Sequence, residues 1–145
     1  MYKVLSKVLA NRLRKVIGSV ISDSQSSFIK GRHILDSILV ANEVVEEVKQ
    51  KKKKCLMFKV DFAKAYDSVN WNFLQHMMLT MGFPPKWCNW IAECLQTSRV
   101  SVLVNGSPTE EFSMSKGLRQ GDPLTPFLFL IVAEGLNVLF KKASC

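Results

Sequence analysis

Asp61 and Asp67 bracket Asp61-Phe62-Ala63-Lys64-Ala65-Tyr66-Asp67, the densest grouping of chemistry-bearing side chains in this sequence. A carboxylate at the end of a strand, directly before a turn, is a natural holder of a hard cation such as Mg²⁺. Successive main-chain N–H groups in such a turn can receive phosphate oxygens. The second grouping is Lys116-Gly117-Leu118-Arg119-Gln120-Gly121-Asp122-Pro123-Leu124-Thr125-Pro126. Its glycines let the backbone approach a flat ligand, and Gln120 offers an amide for a hydrogen bond. Both stretches have plainer explanations. Strands often end in Asp, and a loop capping a helix uses Gly, Asp and Pro. Neither stretch decides the chemistry alone.

The elements that would position them follow from periodicity. Residues 55–62 alternate as a strand does, with Leu56, Phe58, Val60 and Phe62 on one face and Met57, Lys59 and Asp61 on the other. After a short turn, Asn70 reads as the N-cap of a helix running through Met81 and closed by Gly82. Pro84 and Pro85 open another helix, whose Trp87, Trp90, Ile91 and Leu95 read as core rather than as a base-stacking platform. Arg99 to Val104 reads as a strand, Asn105-Gly106 as a tight turn and Glu111 to Ser115 as the returning strand. Pro123 opens a last helix with Leu124, Phe127, Leu128, Ile131, Val132, Leu136 and Phe140 as its buried stripe.

Upstream, Val4, Leu5, Val8, Leu9, Leu13, Val16, Ile17 and Val20 predict an amphipathic first helix. A second runs from about His33 to Val48, burying Ile34, Leu35, Ile38, Leu39, Val44, Val45 and Val48. Lys51 to Lys54 reads as a solvated turn or as a contact to a phosphate backbone. The sum is an α+β fold with a small antiparallel sheet packed on helices.

Composition narrows the function classes. The chain has 145 residues, one domain's worth, with 48% hydrophobic and 22% charged residues, which argues against intrinsic disorder. Its longest apolar run, Phe127 to Ala133, is far short of the roughly 20 residues that a membrane-spanning helix needs. Basic residues interrupt the N-terminus, so no secretory signal is read there; an amphipathic helix fits better than a mitochondrial presequence. Cys55, Cys88, Cys94 and Cys145 show no C-x-x-C spacing and read as thiols in a reduced, intracellular compartment, with no disulfide. The net charge of +8 is uneven: residues 1–54 hold 12 basic and 5 acidic residues, residues 55–145 hold 8 and 7. A basic half beside a neutral one points to a polyanionic partner such as nucleic acid.

Taken together and in this order, the motifs resemble a known family. Phe58-Lys59-Val60-Asp61-Phe62-Ala63-Lys64-Ala65-Tyr66-Asp67-Ser68-Val69 resembles the first catalytic segment of the palm of reverse transcriptases, and Gly117 to Pro126 resembles the next. Gln25-Ser26-Ser27-Phe28-Ile29-Lys30-Gly31-Arg32, with Asp36, is similar to a segment preceding the palm in the enzymes of non-LTR (LINE-type) retrotransposons; Leu9-Ala10-Asn11-Arg12-Leu13 also resembles that family.

The resemblance implies a partial right-hand polymerase fold. Residues 1–54 would be a basic, helical, fingers-side segment, and residues 55–145 a partial palm with both catalytic segments. It implies RNA-directed DNA synthesis on an RNA template with a DNA primer and dNTPs, assisted by two Mg²⁺ ions. Asp61 would be the shared metal ligand and Phe62 would add its carbonyl. Lys64 and Ala65 would offer N–H groups to the triphosphate, and Tyr66 would be the gate against a ribose 2′-hydroxyl. Gln120 and Gly121 would lie along the incoming nucleotide and template base, and Arg32 is a candidate for template or triphosphate contact. Asp67 would make a structural hydrogen bond, and Asp122 would cap the helix.

There are departures from the family pattern. Thr125 stands where the family often has Ser, which keeps the hydroxyl. The family's adjacent Asp-Asp pair occurs nowhere in this sequence, and no thumb follows. The expectation is therefore a piece clipped at both ends, with an unpaired sheet edge and poor solubility, weak or absent Mg²⁺ binding, and no polymerisation by itself. The alternative is a non-catalytic retrotransposon remnant with at most nucleic-acid binding.

Overall fold

Residues 2–143 are described by the structure, a computed structural model. The first helix, α1, spans Tyr2–Val20 and buries Ser6, Leu9, Ala10, Leu13 and Ile17, spaced to form one face. That face differs from the expected stripe. Val4, Leu5, Val8 and Val16 are exposed, while two small residues, Ser6 and Ala10, take their place. Small side chains let α1 lie close against the last helix, α5 (Thr125–Ala143).

Between them, α3 (Trp71–Thr80) and α4 (Pro85–Gln96) form a hairpin whose inner face carries Leu74, Met78, Cys88 and Ile91. The ends are as the sequence predicts. The Asn70 side chain accepts the Phe73 N–H at 3.0 Å. At the other end, Gly82 sits at φ +83°, so its N–H reaches the Leu79 carbonyl and the Phe83 N–H reaches that of Met78. Trp87 is half-buried, but Trp90 is 40% exposed with the Lys86 ammonium over its ring, so it is not a core residue.

The hairpin forms with a break in it. β1 (Arg99–Val100) pairs antiparallel with β4 (Phe112–Ser113), and β2 (Leu103–Val104) pairs with β3 (Ser107–Pro108). Asn105 and Gly106, at φ +51° and +81°, make the turn. Between the ladders the return arm holds one residue more than the outgoing arm, and Thr109 fills the gap. Its N–H donates to the Val102 carbonyl, and its Oγ1 accepts the Val102 N–H.

In α5 the helix begins at Thr125, two residues after Pro123. Leu124, Phe127, Leu128 and Ile131 are buried as expected, Val132 and Leu136 are half-buried, and Phe140 is exposed. Leu130, Glu134 and Gly135 join the buried set.

Two expectations fail. Residues 55–62 form no regular secondary structure, and Leu56, Phe58, Val60 and Phe62 are all exposed. A strand exists only in a ladder, and among the described residues nothing pairs with this one. The second helix, α2 (Ile34–Gln50), forms as predicted yet buries none of its residues. Its apolar stripe is set by sequence, but Ile34, Leu35, Ile38, Leu39 and Val44 are exposed and only Val45 and Val48 are half-buried. The observed fold is thus α+β: five helices and two two-stranded antiparallel sheets among the described residues.

Candidate active site

The turn after this segment carries the first group of candidates, and α5 holds it in place. Phe129 of α5 stands edge-on between two of its rings, 5.8 Å from Phe62 and 5.3 Å from Tyr66. Both contacts are near-perpendicular, the favoured arrangement for aromatic pairs. Lys64 takes φ +53°, unusual for a residue with a Cβ, and its carbonyl accepts the Ser68 N–H at 3.0 Å. The Ser68 hydroxyl returns to the Ala65 carbonyl.

The second loop joins this turn through main-chain bonds. Gly117 N–H donates to the Val69 carbonyl at 2.7 Å, and Leu118 N–H donates to that of Tyr66 at 2.8 Å. The Trp71 indole N–H closes the joint from α3, donating to the Gly117 carbonyl at 2.7 Å. Such close apposition needs glycine. At Gly117 φ is +89°, and a Cβ would stand 3.0 Å from the Asp67 carbonyl oxygen and 3.2 Å from its Cα. The two chemistry-bearing stretches, some fifty residues apart in sequence, thus form one unit at the start of α5. Asp67 contributes through this backbone contact; its side chain is exposed and makes no hydrogen bond among those described, so the expected structural bond is absent.

The candidate groups themselves are open. Asp61, Phe62, Lys64, Gln120 and Gly121 are exposed, and Ala65 and Tyr66 are half-buried. The Lys64 and Ala65 N–H groups and the Phe62 carbonyl have no hydrogen-bond partner among the described residues. Asp61 and the Phe62 carbonyl are hard oxygen donors, the type that Mg²⁺ takes. They fit that ion as a partial set: no group of three or more His, Cys, Asp or Glu side chains gathers among the described residues.

Gln120 and Gly121 form the tip of a turn closed by the Asp122 N–H donating to the Arg119 carbonyl at 3.3 Å. Asp122 is buried and acts at the start of α5 as expected. Its Oδ1 accepts the Leu124 N–H at 2.8 Å and also a hydrogen bond from the Ser6 hydroxyl. Tyr2 lines the same small cavity as this carboxylate. Burial first, and then the neighbouring Asp122 carboxylate, push its phenol pKa up. Burial likewise raises the Cys88 and Cys94 thiols. Nothing in the sequence reading pointed to Tyr2, Ser6 or Trp71. A small hydroxyl on the buried face of an amphipathic helix was the available signal for Ser6, because a buried hydroxyl needs a partner.

Arg32 is placed elsewhere, and both of its terminal nitrogens are engaged. Its guanidinium donates to the carbonyls of Ser22 at 2.6 Å, Gln25 at 2.7 Å and Gly18 at 3.2 Å, and it pairs with Asp23 at 3.0 Å. This clamps the turn that ends α1, where Ser22 also bonds Glu134 and Asn137 of α5. Arg32 thus helps hold this turn in place, whatever further contact it makes.

Comparison with known proteins covers nearly the whole chain. Residues 1–144 match the family described as reverse transcriptase (RNA-dependent DNA polymerase). A Transposon TX1 149 kDa protein of Xenopus laevis is 26% identical over 97% of the chain. Pol polyproteins from R2 retrotransposable elements of Popillia japonica and Drosophila melanogaster are each 26% identical, over 92% and 91% of it. The chain spans 11%, 19% and 12% of the length of these three relatives, respectively. Among the described residues, no helix is long and apolar enough to cross a membrane.

Proposed function

The chain belongs to the reverse transcriptase (RNA-dependent DNA polymerase) family, and from that premise we propose that it is the part of a non-LTR retrotransposon polymerase that receives the incoming nucleotide. In this reading residues 1–54 are a fingers-side segment and residues 55–145 a partial palm of a right-hand polymerase. The partners are an RNA template, a DNA primer and dNTPs.

One observation carries the reading. The main-chain joint of Tyr66 and Val69 with Leu118 and Gly117 holds the two candidate segments as a single surface. On that surface Asp61 and the Phe62 carbonyl would hold Mg²⁺. When bound, the ion would activate the attacking 3′-hydroxyl and neutralise charge on the leaving pyrophosphate. The unpartnered Lys64 and Ala65 N–H groups receive triphosphate oxygens. Tyr66, braced by Phe129, limits space at the sugar and disfavours a 2′-hydroxyl. Gln120 and Gly121 border the nucleotide and its template base.

Among the described residues no group of three or more carboxylates, imidazoles or thiols gathers at this surface, too few to hold two Mg²⁺ ions, so the 145-residue chain alone is expected not to extend a primer. Nucleotide contact is the sharper test. With Mn²⁺ and dTTP as probe, paramagnetic broadening of amide signals at 62–66 and 120–121 is expected, and Asp61→Ala should abolish it. Broadening that survives this substitution would refute the assignment of Asp61. Primer extension by the chain alone, sensitive to Asp61→Ala, would overturn the statement that it is inactive.

A second reading rests on charge: 12 basic against 5 acidic residues in the first 54 suit a non-catalytic RNA binder. Its mark is RNA affinity that falls steeply with salt in a chain showing no Mn²⁺–dTTP response; no RNA binding at moderate salt would sink it.

A further inference from the structure

Gln120 and Gly121 sit on a turn with little to hold it. Its one internal bond is 3.3 Å long, both residues are exposed, and the space around Gly121 is open. The residues on either side are nonetheless fixed: the Thr125 hydroxyl donates to the Arg119 carbonyl at 2.5 Å, and the first two turns of α1 reach the side chains of Arg119 and Asp122. The Arg119 guanidinium carbon lies 5.8 Å from the centre of the Tyr2 ring. Tyr2 lines one small cavity with Asp122, whose carboxylate takes the hydroxyl of fully buried Ser6, four residues on from Tyr2 and so on the same face of the helix. A carboxylate that only began α5 would need the Leu124 N–H and could stay at the surface. Burying it requires a further donor, and Ser6 of α1 supplies it. Arg119 and Thr125 line the same cavity as Tyr2 and Asp122, water-sized at about 10 Å³, so little slack separates the four.

We infer that Tyr2 and Ser6 are positioning residues for Gln120 and Gly121, with the first two turns of α1 fixing where that turn presents its amide. The value of this for polymerisation rests on the role proposed above for Gln120 and Gly121; the positioning itself does not.

Amide hydrogen exchange on the full chain tests it. In Tyr2→Ala, which removes ring and hydroxyl, amides 120–124 should exchange roughly threefold to thirtyfold faster, the loss expected for the ring's contact with the Arg119 guanidinium. Tyr2→Phe keeps the ring under Arg119 and should fall between Tyr2→Ala and the parent. Ser6→Ala should resemble Tyr2→Phe, and Val4→Ala, at an exposed position of the same helix, should change nothing. Amides of α3 and α4 serve as the internal reference. Unchanged exchange at 120–124 in Tyr2→Ala, or equal acceleration in α3 and α4, would overturn the inference.

The Mn²⁺–dTTP experiment then separates the two claims. In Tyr2→Phe, broadening at Gln120 should weaken while that at 62–65 persists. If the parent chain shows broadening at 62–65 and none at 120–121, the nucleotide role of Gln120 and Gly121 fails. The exchange result then still decides the positioning.

Discussion

Gly117→Ala tests the joint between the two loops, and Gly121→Ala is its internal control. Both glycines lie in the left-handed region, at φ +89° and +80°. Holding alanine there costs roughly 1–2 kcal/mol at either site. The surroundings differ. A Cβ on residue 121 meets no atom within 4 Å, whereas one on residue 117 meets the Asp67 carbonyl oxygen at 3.0 Å and its Cα at 3.2 Å. Those are main-chain atoms and cannot swing aside, so the loops must separate by some tenths of an ångström. That strains or breaks one or two of the bonds from Gly117 N–H and Leu118 N–H and to the Gly117 carbonyl, at about 1 kcal/mol each. The sum for Gly117→Ala is about 2–4 kcal/mol, against about 1–2 for Gly121→Ala. Urea titration followed by far-ultraviolet circular dichroism measures both on one scale, provided the slope is shared. A Gly117→Ala variant no less stable than Gly121→Ala would refute the reasoning, because close approach at Asp67 is the one term that separates them.

Arg32→Lys should cost roughly 1–3 kcal/mol, since an ammonium cannot reproduce a fork that bonds several carbonyls at once. RNA affinity at moderate salt should barely move; a large affinity loss with stability intact would instead support direct contact by Arg32. Alkaline pH should destabilise the chain. Tyr2, Cys88 and Cys94 are all held protonated in the fold beyond their ordinary values of 10.0, 9.0 and 9.0, so their contributions are intact below pH 9 and decline as the unfolded chain ionises above it. Melting temperature should therefore fall above pH 9, and Tyr2→Phe should flatten the part of that fall beyond pH 10; a melting temperature constant from pH 8 to 11 would contradict this. Finally, amides 56–60 should exchange at close to unfolded rates while the buried helices are protected. Protection at those amides would reveal a ladder partner that the described residues do not contain.

What the sequence reveals is what lies close along the chain. Asn70 with Gly82, and Asn105 with Gly106, end or reverse their segments through their own backbone preferences, so their signals survive without knowledge of the rest. The helix of residues 34–50 is likewise a local fact. Its burial is not: periodicity states that Ile34, Ile38 and Val45 share a side, and only a neighbour could bury that side. Residues 55–62 fail more completely, because a strand, unlike a helix, keeps none of its hydrogen bonds within itself. In α1 the pattern selected the large aliphatic residues, but close packing on α5 selected Ser6 and Ala10. The candidate site divides in the same way. Resemblance located Asp61 and Gln120, while the pairings of Gly117 with Asp67 and Ser6 with Asp122 are spatial and left no mark in the spacing.

The division between frame and site has a physical reason. In the role proposed, a group that holds a phosphate, a cation or a base keeps its bonding capacity unspent; Asp61 and Gln120 are exposed, and the Lys64 and Ala65 N–H groups have no hydrogen-bond partner among the described residues. Unspent groups cannot fix their own positions. That work falls to neighbours already engaged: Val69 and Leu118 in the joint, Phe129 beneath the turn, and Asp122 with the Ser6 hydroxyl and the Leu124 N–H. Arg32 shows the converse. Its guanidinium is as capable of binding phosphate as any in the chain, yet with both terminal nitrogens given to three carbonyls and Asp23 it helps hold the frame. Whether a polar residue in this fold binds a ligand or holds the scaffold is therefore decided by what it already bonds, and residue type alone does not decide it.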